Sequence, residues 1–119
     1  MNNMNEYLLP DHELPAWLTY PTELVELVLA GRVKLTPWHV CKASAVRGLH
    51  IRLKDRLDRE LVPFAHRQDR EDLACFEKGK GHEVLIIHDN TDPGWESEGS
   101  YPRFSDWLHD VEAESKLWR

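Results

Sequence analysis

Apolar residues recur every three or four positions in three parts of the chain, and this spacing predicts three helices. The helices are expected over residues 21–30, 44–59 and 102–117, with Pro21 suited to the start of the first and Gly31 to its end. Their apolar stripes are, in chain order, Leu24, Leu27 and Val28; Val46, Leu49, Leu53 and Leu57; and Phe104, Trp107, Leu108 and Val111.

Shorter apolar segments predict strands between the second and third helices. Residues 72–77 and 83–88 form the clearest hairpin, because Gly79 and Gly81 lie in the polar connection between them. Residues 84–87 are apolar without alternation, which is typical of a central strand covered on both faces. Residues 34–43 read as extended with an interruption at Pro37, and 89–100 as a polar loop.

Separate helical and strand-rich segments predict an α+β fold, a small and mainly antiparallel sheet with helices packed around it. A length of 119 residues fits one domain over positions 1–119, and the first twenty residues are expected to form an ordered irregular arm on its body. Five tryptophans supply much of the apolar area for a core. The residues expected to be largely buried are Phe64, Phe76, Leu85, Ile87, Trp107 and Leu108.

The overall charge narrows the class of partner. A formal net charge of −6, from 21 acidic and 15 basic residues, argues against a general nucleic-acid binder. Cys41 and Cys75 form no metal-binding or redox motif and suit buried thiols in a reducing compartment. No leader-like or membrane-length apolar segment is present in the sequence. We therefore expect a cytoplasmic protein with no membrane partner and no cofactor.

The histidines raise the question of an enzyme. His88 and Asp89, with Asp92 just beyond the predicted strand, are the best candidates for a metal or acid–base site. Their spacing matches no zinc motif, and a strand-end histidine followed by a polar turn explains them more simply. We therefore predict no catalytic residue and no metal ligand, with a small metal-dependent enzyme as the alternative.

Four arginines on the second predicted helix form a candidate nucleic-acid face: Arg47, Arg52, Arg56 and Arg59. Acidic residues lie three or four positions from basic ones on this helix, in the pairs Arg52–Asp55, Lys54–Asp58 and Asp55–Arg59. Such spacing is typical of a solvated helix that pairs its own charges. We favour that interpretation over nucleic-acid binding.

One segment stands out as a candidate partner-binding surface. Between Lys80 and Arg103 there is no Lys or Arg, while carboxylates accumulate around one tryptophan. The predicted partner-binding residues are Asp89, Asp92, Trp95, Glu96 and Glu98. An aromatic anchor ringed by carboxylates suits a basic protein partner. The competing interpretation is an ordinary acidic loop with Trp95 folded back onto the core.

The order of four motifs over residues 61–111 resembles the SUKH superfamily, which includes bacterial toxin-immunity proteins and a fungal cell-wall-synthesis regulator. The motifs are, in order, Pro63-Phe64-Ala65, DLACF at 72–76, EVLIIHD at 83–89, and Phe104-x-x-Trp107-Leu108. In that family a P-F-A strand precedes a loop ending in Asp, two core strands and a helix that opens with this aromatic pattern. The resemblance implies a sheet with helices around it and a function in binding proteins, commonly secreted toxin domains.

These observations together predict a non-catalytic immunity protein that neutralises a cognate toxin by direct binding. The toxin is expected to be a basic domain, such as a nuclease, because the candidate surface is acidic. Two alternatives stay open. One is the metal-dependent enzyme at His88, Asp89 and Asp92, and the other is a regulatory adaptor, which differs from an immunity protein only in its partner.

Overall fold

The computed structural model describes residues 6–89 and 92–118. Its helices are α1 (Thr22–Leu29), α2 (Ala43–Leu57) and α3 (Phe104–Leu117), and a short 3-10 helix covers Asp11–Glu13. Its strands are β1 (Lys34–Leu35), β2 (Trp38–Val40), β3 (Leu61–Arg67), β4 (Asp72–Glu77), β5 (Val84–His88) and β6 (Ser97–Tyr101).

The helix ends follow local backbone preferences. Gly31, just beyond α1, has a φ of +75°, the left-handed conformation that glycine adopts without steric cost. α2 ends two residues earlier than predicted because Asp58 also takes a left-handed conformation, with a φ of +55°. The apolar spacing therefore located the helices, and the backbone conformation after each helix decided its last residue.

The six strands form one antiparallel sheet whose spatial order follows the chain, from β1 at one edge to β6 at the other. Together with the three helices, this confirms the predicted α+β class with an antiparallel sheet. The predicted hairpin is β4 and β5, in which Asp72 is opposite His88 and Cys75 is opposite Leu85.

Both faces of the sheet are covered, as predicted from the apolar run in β5. Val84 and Ile86 face the larger core, which is built with α1, α3 and the N-terminal arm. Leu85 and Ile87 face the opposite way, where they join a smaller core with Leu53 of α2. Because side chains alternate along a strand, a strand buried on both faces needs an unbroken apolar sequence.

Aromatic rings fill the centre of the larger core. The ring of Phe64 stacks on that of Phe76 with centroids 4.7 Å apart, and meets the edge of Trp107 at 4.9 Å. Phe64, Phe76, Leu85, Ile87 and Trp107 are buried as predicted, whereas Leu108 is half-buried. The described part of the N-terminal arm packs on this core, and the hydroxyl of Tyr20 accepts a hydrogen bond from the Leu9 amide at 3.1 Å.

The prediction of a loop over 89–100 was wrong at its C-terminal end, where β6 begins at Ser97. This strand escaped the sequence analysis because it has the sequence SEGSY and four of its five residues are exposed. An edge strand of this kind is held by backbone pairing with β5 rather than by apolar side chains. Its low apolar content removed the alternation on which strand prediction depends.

Candidate functional site

The connection between β5 and β6 carries most of the predicted partner-binding residues, and two of its carboxylates turn inward. Asp89 and Glu96 are each only 7 % exposed. The amide of Gly94 donates to Glu96 Oε1 at 2.7 Å, and the His88 amide donates to the Glu96 carbonyl at 2.7 Å. These bonds attach the C-terminal end of the connection to the end of β5.

Asp89 is held by two arginines of α2. Arg56 Nη1 lies 2.9 Å from Asp89 Oδ1, and Arg52 donates to the other carboxylate oxygen. The Asp89 amide in turn donates to the Glu71 carbonyl at 3.0 Å. A carboxylate this deeply buried needs such partners, because removing an ionised group from water is otherwise very costly.

Glu96 shares a third arginine with Glu77 of β4. Arg59 binds Glu77 through two hydrogen bonds of 2.9 and 2.8 Å, and its Nη1 lies 2.9 Å from Glu96 Oε2. The bond from Arg59 lowers the pKa of Glu77 more than burial raises it. Burial also opposes ionisation of Glu96, but hydrogen bonds from backbone amides and from Arg59 outweigh it and lower the pKa of this carboxyl.

The arginines of α2 therefore do not pair mainly within their own helix, as the sequence analysis expected. The Lys54–Asp58 ion pair forms at 3.0 Å. Arg52 of α2, and Arg59 two residues beyond its end, pair instead with the buried Asp89 and Glu96 and with the largely buried Glu77, and not with Asp55. The physical reason is that a buried carboxylate gains much more from a guanidinium than an exposed one does.

Three of the predicted partner-binding residues are exposed instead. Trp95 has 76 % of its surface accessible, so the interpretation in which its ring folds onto the core is wrong. Asp92 and Glu98 are also exposed, and neither forms an ion pair within the part of the chain that the structure describes. The Trp95 amide donates to the Asp92 carbonyl at 3.1 Å, which closes a turn around Gly94.

The alternative enzyme site does not assemble from its three predicted residues. His88 Nδ1 lies 2.8 Å from Oδ1 of Asp72, a buried residue opposite it on β4. Asp89 is bound by α2 across the other face of the sheet, and Asp92 is exposed. Within residues 6–89 and 92–118, no group of three or more His, Cys, Asp or Glu side chains is placed to hold a metal ion.

Asp72 and Arg59 are the structurally important polar residues that the sequence analysis missed. Asp72 was placed only as the first residue of a strand, although the register of the predicted hairpin puts it opposite His88. Arg59 was considered only for pairs within the predicted second helix, whereas its carboxylate partners, Glu77 and Glu96, lie in β4 and in the connection between β5 and β6. The register of the predicted hairpin could therefore have identified the pair of Asp72 with His88. For Arg59, the nearby acidic residues in the sequence indicated the wrong partner.

Comparison of the chain with protein-family models, with curated proteins and with solved structures finds no match. No helix among the described residues is both long enough and apolar enough to cross a membrane.

Proposed function

We propose that this protein is a non-catalytic binding domain for a basic protein, and that it acts as an immunity protein that covers a cognate toxin. The observation that carries the proposal is the exposure of Trp95, 76 % accessible, close in sequence to Asp92 and Glu98, whose exposed carboxylates have no cationic partner among the described residues. A large aromatic side chain left in water is a frequent anchor of protein interfaces, because its burial on binding removes much apolar area from solvent.

The inward half of the same connection supports this proposal. The ion pairs of Asp89 attach one end of the connection to α2, and the pair of Glu96 attaches the other end to Arg59, which also binds Glu77 of β4. A loop that is already held in place loses less conformational entropy when a partner binds. The buried carboxylates therefore serve the presentation of Trp95 rather than contact with the partner.

The outward carboxylates favour a basic partner. Asp92 and Glu98 lie in a stretch without Lys or Arg, so their charge is not cancelled by neighbours along the chain. Exposed charges of one sign accelerate encounter with the opposite sign and lose this effect as salt is added. The resemblance to the SUKH superfamily adds a toxin domain as the class of partner. A regulatory adaptor would use the same surface for a different protein.

The test uses the product of the gene adjacent to the gene for this chain, which the proposal expects to be a toxin domain. We expect that domain to arrest growth when expressed alone, and co-expression of this protein to restore growth and to yield a purified complex. Trp95→Ala should weaken the complex by about tenfold or more, mainly through faster dissociation. Leu29→Ala is the matched control, because Leu29 is 59 % exposed on α1.

Two results would contradict the proposal. One is the absence of protection and of complex formation with the adjacent gene product. The other is a complex that Trp95→Ala and Leu29→Ala leave equally intact, which would place the interface elsewhere on the domain.

The metal-dependent alternative predicts a bound metal ion, whereas the proposed binding domain predicts none. We expect the purified protein to retain no stoichiometric zinc or calcium after dialysis, because His88, Asp89 and Asp92 have separate surroundings. Elemental analysis measures this directly. One equivalent of metal that is lost in His88→Ala would support the enzyme instead.

A further inference from the structure

The two edges of the sheet are built differently. β1 is only two residues long, begins with the exposed Lys34, and is followed by Pro37 in the turn to β2. Short length and an exposed lysine are features that hinder an edge strand from pairing with another chain. β6, in contrast, has five residues and contains no Lys or Arg.

The outer side of β6 is open to a further strand. Within residues 6–89 and 92–118, β6 pairs with β5 and with no other strand. A bulge leaves Glu98 without an opposite residue on β5, after which Gly99, Ser100 and Tyr101 follow a regular register. Apart from Gly99 and its chain neighbours, no atom of the described residues lies within 4 Å of the position that a Cβ on Gly99 would occupy, so this face of the sheet is unobstructed at Gly99.

An acidic cleft of about 180 Å³ lies between the sheet and α3, and Glu98 and Tyr101 of β6 are part of its lining. Four carboxylates and two guanidinium groups contribute to its lining: Asp72, Glu98, Asp110 and Glu114, with Arg67 and Arg70. The arginines are engaged, since Arg67 binds Glu114 at 2.7 Å and Arg70 lies 3.6 Å from Asp72. In the described part of the chain, Glu98 and Asp110 have no cationic partner, and Asp110 accepts a hydrogen bond from the Tyr101 hydroxyl.

We infer that the β6 edge takes an extended basic segment of the partner as an added strand, with Lys or Arg at alternate positions facing α3. This inference rests on the proposed function and names how the partner is held. Backbone hydrogen bonds to β6 would supply affinity, and the alternate side chains would supply specificity. Because alternate side chains of a strand share a face, basic residues two positions apart both reach the cleft side of the sheet. Gly99 has no side chain to obstruct them.

A second copy of this chain fits the edge poorly. Antiparallel pairing of β6 with itself around Gly99 would place the Glu98 carboxylates of both copies, and the acidic clefts beside them, along the same short ribbon. Like charges close together across strands destabilise the pairing. The charge of the edge therefore selects a basic strand over a copy of itself.

The direct test uses the full chain and a synthetic peptide with alternating Arg and Thr or Val. We expect the peptide to slow hydrogen exchange of backbone amides in β6 by about tenfold and to shift their resonances, with little change in β1. A peptide with Glu in place of each Arg, and an Arg peptide N-methylated at alternate amides, are the probe controls. The inference is overturned if the N-methylated peptide acts equally well, if the changes lie outside β6, or if none occur. Protection of the β6 amides when the concentration of the protein alone is raised would also overturn the inference, since that result would indicate self-pairing.

Charge reversal on the protein gives the second arm. Glu98→Lys should weaken binding of the Arg peptide by about tenfold. Asp55→Lys makes the same change in net charge on the exposed surface of α2 and should leave the affinity unchanged. Equal weakening by both variants would indicate a general charge effect and contradict the inference.

The outcomes separate this inference from the proposed function. The toxin complex could be lost in Trp95→Ala and unchanged in Glu98→Lys, while the peptide has no effect on β6. That result would agree with the proposed function and contradict the added strand. A toxin domain that forms no complex at all contradicts the proposed function, while protection of β6 by the Arg peptide would still identify the edge as a site for basic strands.

Discussion

The four carboxylates from Asp89 to Glu98 divide into an inner and an outer group. Asp89 and Glu96 form the inner group: both are buried, and they are bound by arginines of α2 and by Arg59 just beyond its end, respectively. Asp92 and Glu98 form the outer group, exposed and without cationic partners among the described residues. All four lie within ten consecutive positions of the chain and have the same charge.

This comparison teaches that charge counted along a sequence overstates the charge a surface presents. Arg52, Arg56 and Arg59 neutralise the inner group and Glu77, so the apparent acidic stretch and the apparent basic helix largely cancel each other. What reaches solvent is a smaller set, namely the outer group and Trp95. The inner group is a structural feature that fixes the connection, and the outer group is the candidate surface.

The largest expected effect on stability comes from the small core between α2 and the sheet. Ile87→Ala removes a fully buried side chain from the small core between α2 and the sheet. It should lower the free energy of unfolding by about 2–5 kcal/mol in denaturant titrations. Ile51→Ala is the same substitution at a position 65 % exposed on α2 and should have little effect. A loss below about 1 kcal/mol for Ile87→Ala would contradict its burial between α2 and the sheet.

The next effect concerns the ion pairs of the inner group. Arg59→Gln leaves Glu77 and Glu96 buried without their shared guanidinium, and should cost about 2 kcal/mol of stability. This is below the cost of breaking a fully buried pair, because the Arg59 side chain is 20 % exposed. Arg103→Gln is the matched control, since the Arg103–Asp106 pair is exposed to solvent and should contribute much less to stability. Equal losses in the two variants would show that the inner group has no special role.

Lowering the pH should weaken the ion pairs that Arg59 forms with Glu77 and Glu96. The pKa of Glu77 and of Glu96 is lowered from the ordinary value of 4.5 by hydrogen bonds to their ionised forms. Their contribution to stability is therefore complete above about pH 4.5 and is lost as the pH falls through the lowered folded-state pKa. The difference in unfolding free energy between wild type and Arg59→Gln should accordingly narrow below pH 4.5. A difference that stays constant down to acid unfolding would mean that these carboxylates do not depend on Arg59.

The smallest effect on stability is expected from the outer group. Asp92→Lys combined with Glu98→Lys should change the free energy of unfolding by less than about 0.5 kcal/mol, because both side chains are exposed and form no ion pair with another described residue. The same variant should slow association with the toxin domain, most strongly at low salt. Glu96→Lys should instead unfold the connection, because it places a cation beside Arg59. If the outer double variant is as unstable as Glu96→Lys, the division between the two groups is wrong.

Much of the fold could be predicted from local patterns. The hairpin of β4 and β5 combines two apolar segments with a glycine-containing connection, and the predicted bounds of β4 match the structure. The three helices lie where apolar residues recur every three or four positions. β6 was missed, since an exposed strand leaves no apolar alternation to detect.

The sequence by itself determined which segments form helices and hairpins, and it located the acidic stretch around Trp95. Those features depend on residues within a few positions of one another, where spacing fixes which side chains share a face. Only the tertiary structure decided which carboxylates turn inward and which stay in water. Asp89 meets Arg52 and Arg56, more than thirty residues away, only because α2 packs across the face of β4 and β5. Pairing between distant charges depends on how elements pack, so Trp95, Asp92 and Glu98 could be separated from their buried neighbours only in three dimensions.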